Sequence, residues 1–71
     1  MRWPQFERVL ARAPLHYAIT RQVGSHKTLE APNRPTLHLS FHDRQELPGS
    51  MIRKVLTEDV GLSEVEARAL F

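Results

Sequence analysis

Hydrophobic positions along the chain follow two periods, and the changes between them mark out the elements. Between residues 4 and 13, Phe6, Val9, Leu10 and Ala13 recur at the three-to-four-residue spacing of one helix face. Pro4 suits a first helical turn, where its missing N–H is no loss, and Pro14 stops the helix. From Leu15 to Val23 that period is absent. Tyr17 and Ile19 alternate with Ala18 and Thr20 in a stretch rich in β-formers, which predicts a strand. Gly24-Ser25 breaks it as a turn would, and His26 to Ala31 reads as a second strand. Pro32-Asn33-Arg34-Pro35 is loop, because two prolines cannot both sit in a paired ladder.

Thr36 to His42 carries the clearest signal. Leu37, Leu39 and Phe41 point one way and Thr36, His38, Ser40 and His42 the other, the alternation of a half-buried strand. Pro48-Gly49-Ser50 then opens a second helix with Ile52, Val55 and Leu56 on its apolar stripe, and Gly61 ends it. Ser63-Glu64-Val65-Glu66 is a capping box for a short last helix. The order predicts an α+β fold, α-β-β-β-α with a short extra C-terminal helix. Its three antiparallel strands pack helices on one face and leave the other open. No repeat or low-complexity segment interrupts residues 1–71, which read as one domain.

Length and composition narrow the classes. A chain of 71 residues holds one modest core and no cysteine to staple it, so a binding partner is a natural source of added stability. With 41% hydrophobic and 25% charged residues it has the profile of an ordinary soluble domain. No apolar run is long enough for a membrane span, and Met1 to Glu7 lacks the apolar core of a signal peptide, so a cytoplasmic protein is expected. The formal net charge is only +2, but the charges are unevenly placed. Residues 2 to 34 carry Arg2, Arg8, Arg12, Arg21, Lys27 and Arg34 against Glu7 and Glu30. That half is the better candidate for touching phosphate.

Residues at the joints of these elements resemble the HicA toxin family. Arg21-Gln22-Val23-Gly24-Ser25-His26 is similar to that family's strand-ending basic residue followed by Gly-Ser-His. Pro32 in the loop after the second strand, His42 after the third, Glu46-Leu47-Pro48-Gly49 before the second helix and Gly61-Leu62-Ser63-Glu64 after it extend the match over residues 21 to 66. The chain departs where the family often has a second histidine, here Lys27. Ala13-Pro14-Leu15 stands in place of a helix-ending glycine, and the second helix is one or two residues longer. The resemblance implies a fold similar to the double-stranded-RNA-binding domain. It also implies an mRNA interferase, the toxin of a toxin–antitoxin pair, with a HicB-like antitoxin as partner and no cofactor.

The implied catalytic residue is His26. RNA can be cut without metal because its own 2′-hydroxyl attacks the neighbouring phosphorus. The enzyme then moves protons and stabilises the charged phosphorane. Histidine suits either proton transfer, its unperturbed pKa lying near 6.5. Arg21, Ser25, Lys27 and Arg34 are the expected RNA contacts. If the second and third strands pair across the Ala31–Pro35 loop, His26 lies near Ser40 with His38 and His42 diagonal to it. Both are therefore auxiliary candidates. A metal site is not expected. His38 and His42 have the spacing of a helical zinc pair, but on a strand their rings stand about 13 Å apart.

Each residue also has a plainer reading. Without the family context His26 is an ordinary surface residue of a strand, and His38 and His42 are the solvated side of another. His16 is structural or exposed. Arg53 and Lys54 form the wet face of a helix, and Trp3 and Phe6 cap the core. Two other functions therefore stand beside the ribonuclease: a non-catalytic RNA-binding module of the same fold, and a protein-interaction domain. No glycine-rich phosphate loop or nucleophile elbow points to a small-molecule enzyme.

Overall fold

The central alternation becomes a three-stranded antiparallel sheet of order β1-β2-β3, in a computed structural model that describes residues 1–71. β1 is Ala18–Val23, β2 is His26–Glu30 and β3 is Leu37–Leu39. Helix α1, Trp3–Ala11, precedes the sheet; α2, Gly49–Lys54, and α3, Glu64–Arg68, follow it. The α+β class and the helix–three strands–helices order are those the sequence predicts. The helices cover one face. Lys27 and Leu29 on β2 and Leu37 and Leu39 on β3 are buried beneath them, while His26, Glu30 and His38 are exposed on the other side.

One cluster forms the core. Trp3, Phe6, Val9 and Leu10 of α1 meet Leu15, Tyr17, Leu29, Leu37 and Leu39 from the sheet side, and Leu47, Ile52, Val55, Leu56, Val60, Ala67 and Leu70 from the C-terminal half. Trp3 stands at its centre, edge-on to Phe6 at 6.2 Å and tilted against Phe41 at 5.9 Å. Trp3 and Phe6 therefore belong to the core, as read.

The strands are shorter than the sequence expectation, β2 ending at Glu30 and β3 starting at Leu37, and three further boundaries differ for identifiable reasons. Helix α1 stops at Ala11, so Ala13 is exposed rather than on the apolar stripe. The first strand starts at Ala18 and not Leu15, because His16 takes a left-handed φ of 59° and the Tyr17 N–H donates to Leu10 O at 2.8 Å. Leu15 and Tyr17 are buried all the same, as an irregular lead-in. β3 ends at Leu39 although Phe41 keeps the inward parity, for the Phe41 carbonyl accepts from Lys27 Nζ at 2.8 Å instead of continuing a ladder.

Past α2 the backbone widens into a π-helical segment, Val55–Asp59, with Val60 N–H donating to Val55 O at 2.9 Å. In an α-helix a residue five positions on lies about 140° round the axis. The wider turn brings Val60 back beside Val55, and both are buried. Gly61 at φ +88° then ends the helix, and Leu62 N–H closes on Leu56 O.

The capping box forms as predicted. Ser63 Oγ accepts from Glu66 N at 3.1 Å, and Ser63 N donates to Glu66 Oε1 at 2.9 Å. These bonds from the Ser63 backbone, and next from its hydroxyl, hold the Glu66 carboxyl below its ordinary value of 4.5. The carboxylate therefore stabilises the fold fully above the unfolded pKa, and this support is lost as pH falls through the lower folded value. Ser63→Ala is expected to cost about 1 kcal/mol in denaturant unfolding at neutral pH. Glu66→Gln should flatten the corresponding part of the acid-unfolding curve. No helix is long and apolar enough to cross a membrane.

Candidate functional site on the open face of the sheet

The hairpin sets the position of His26. Val23 pairs with His26 across Gly24-Ser25, and Gly24 has φ +61°. A two-residue turn with a positive φ at its first central residue favours glycine there. His26 is thus the first residue of the central strand, exposed, with its side chain on the sheet face opposite the helices.

Register decides its neighbours. Partners in a ladder point to the same side, so the open face collects Val23 and Arg21 from β1, His26, Thr28 and Glu30 from β2, and His38 from β3. Arg21 reaches that face because the ladder shifts between Ile19 and Arg21, leaving Thr20 as an extra residue. Thr28 lies between Arg21 on one side and His38 on the other. Lys27 pairs with Leu39, so one further step brings Ser40 opposite His26, as the sequence register expects. A shallow depression of about 190 Å³ is lined by His26, Thr28, His38 and Ser40, with Lys27 and Leu39 between them.

The other expected site residues fall elsewhere. Lys27 is no phosphate contact on this face. It alternates with His26 and points inward, only 5% exposed. Its Nζ donates to Phe41 O at 2.8 Å and Ser25 O at 3.4 Å, and sits 5.0 Å from the centre of the Trp3 ring. Three interactions thus hold a buried cation that has no carboxylate partner. Ser25 is half-buried in the turn beside His26.

Arg34 is likewise not at the site. It lies in the β2–β3 loop, at the far end of β2 from His26, about 13 Å along the strand. There its guanidinium donates to Pro14 O at 3.5 Å, and its charge acts on Tyr17 and Glu66, on the helix side. Burial pushes the Tyr17 hydroxyl up from its ordinary value and the Arg34 charge opposes this; the hydroxyl donates to Pro35 O at 2.7 Å. His42 is exposed in the turn after β3, its N–H donating to Gln45 Oε1 at 3.3 Å. The ladder ends before it, so no pairing ties it to His26.

Sequence reasoning did not single out Thr28, although its parity with His26 places it on the open face. The same parity, matching Lys27 to Leu29, was the signal that Lys27 is inward. No group of three or more metal-ligating side chains is assembled anywhere in the chain. A larger cavity, about 370 Å³, lies between α2 and α3 among Leu47, Ile52, Leu56, Ala67 and Phe71, with no histidine in its lining. His26 and His38 lie instead on the open sheet face, around the smaller depression. Compared with protein families, curated proteins and solved structures, the chain finds no match.

Proposed function

We propose that the chain is a metal-independent endoribonuclease with a double-stranded-RNA-binding-domain-like fold. In this reading it is an mRNA interferase, the toxin of a HicA-type toxin–antitoxin pair, and acts in the cytoplasm. His26 carries the proton transfer and Arg21 meets phosphate. A HicB-like antitoxin neutralises the enzyme by covering the open face. The observation that supports this best is the placement of His26: exposed, at the head of the central strand, in a depression lined by two hydroxyl side chains and a second histidine.

The helix–three strands–helices order is compatible with such a fold, and the Gly24-Ser25-His26 motif sits at the hairpin. A module that only held RNA by its backbone would need many cations, since phosphate neutralisation dominates such binding. Among the strand residues of the open face Arg21 is the single cation, and Glu30 opposes it. Catalysis on a short stretch of RNA fits this face better.

The test is inducible expression in bacteria of the wild-type protein and of His26→Ala. Wild type is expected to arrest growth and fragment message, and the variant to do neither. Harmless expression of both with intact message would remove the enzyme reading.

A further inference from the structure

The depression on the open face is a quadrilateral. His26 and Thr28 are successive outward residues of β2; His38 lies beside Thr28, and Ser40, by one step of the same register, beside His26. The two imidazoles therefore occupy one diagonal and the two hydroxyls the other.

We propose that His38 is the second proton-transfer group of the reaction, acting on the opposite side of the phosphorus from His26; this rests on the ribonuclease reading above. In-line transfer places the attacking and leaving oxygens at opposite ends of the phosphorus. A single side chain cannot reach both ends at once. Diagonal neighbours on adjacent strands stand about 7–8 Å apart at their backbones, a separation that lets two imidazoles flank one phosphodiester. Both histidines are exposed, and neither is tied up by a hydrogen bond or ion pair within the protein. Thr28 and Ser40 on the other diagonal face the non-bridging oxygens, and Arg21, next to Thr28 across β1, supplies the positive charge.

The step balances without a co-reactant. One imidazole takes the 2′-hydroxyl proton as the 2′-oxygen–phosphorus bond forms. The phosphorus–5′-oxygen bond breaks, and the other, protonated imidazole gives its proton to the departing oxygen. The products are a 2′,3′-cyclic phosphate and a 5′-hydroxyl. His42, the other auxiliary candidate, lies in the turn beyond the ladder and is not part of this arrangement.

The experiment compares purified wild type, His26→Ala and His38→Gln on two RNA substrates, one normal and one with sulfur replacing the 5′-oxygen at the cut. A thiolate leaves without being protonated, so this substrate needs no general acid. Both variants are expected to lose at least 100-fold on normal RNA. One of them alone should regain most of its rate on the thio substrate, which names it the acid and the other the base. Near-wild-type cleavage by His38→Gln, with His26→Ala inactive, would overturn the role of His38 and leave the proposed function standing. Recovery of both variants, or of neither, would also overturn the paired roles. No cleavage by wild type would remove both readings.

Discussion

Lys27→Ala is expected to destabilise the protein by about 2–4 kcal/mol, the sum of an unpaired part-buried acceptor and a lost apolar stem. A domain of this length has a total of about 4–10 kcal/mol at the usual stability per residue, so a large part of it hangs on one surface-type residue. Lys27 joins three elements: its ammonium accepts nothing and donates to carbonyls of the hairpin turn and of the chain leaving β3, over the face of Trp3 in α1. Without it the Phe41 carbonyl loses its donor and Trp3 its cation. Lys27→Met keeps the stem and removes only the polar contacts, and should cost about 1–3 kcal/mol. Urea unfolding of the three proteins checks the order. If Lys27→Met were as stable as wild type but weaker in RNA affinity, Lys27 would act as a phosphate ligand and its inward placement would be wrong.

His26→Ala should behave in the opposite way. Its side chain is exposed on the open face, so unfolding is expected within about 0.5 kcal/mol of wild type. Cleavage by the purified protein in the presence of a chelator should fall by about 100-fold to 10,000-fold, the range for losing a positioned acid or base. Stability and activity are thus expected to separate at adjacent residues. Under the proposed function, position 26 is expected to carry activity with little stability, and position 27 stability with little direct part in the chemistry. Measuring thermal unfolding and chelator-resistant cleavage on the same samples tests the pair together. A His26→Ala protein that unfolds early, or that cuts at the wild-type rate, would contradict it.

The opposite placement of these two neighbours comes from strand parity, the most legible feature of this chain. Leu37, Leu39 and Phe41 announced the inward side of the third strand, and the structure buries Leu37 and Leu39 there. Pairing across the Ala31–Pro35 loop anticipated His26 opposite Ser40, and the observed Lys27–Leu39 and Thr28–His38 pairs have that register. The Ser63–Glu66 box and the Gly61 helix end were equally readable, because caps depend on residues three or four apart. Two of the misplacements arose where a distant group intervened. β3 stops early because Lys27 takes the Phe41 carbonyl, and Arg34 turns to the helix side beside Pro14 and Tyr17.

Local periodicity and turn chemistry, then, were enough to read the order of helices and strands, the inward side of the third strand and its register with the second; the π-helical segment and the bulge at Thr20 were not legible there. The sequence also singled out His26 through a motif. Only the tertiary structure decided which cations stay in solvent and which histidine shares the depression with His26. Those outcomes depend on groups far apart in the chain: the Trp3 ring and the Phe41 carbonyl make an inward Lys27 tolerable, and the end of the ladder at Leu39 leaves His38 on the sheet and His42 off it. A buried charge is stable only where such partners converge, and convergence is a property of the folded chain.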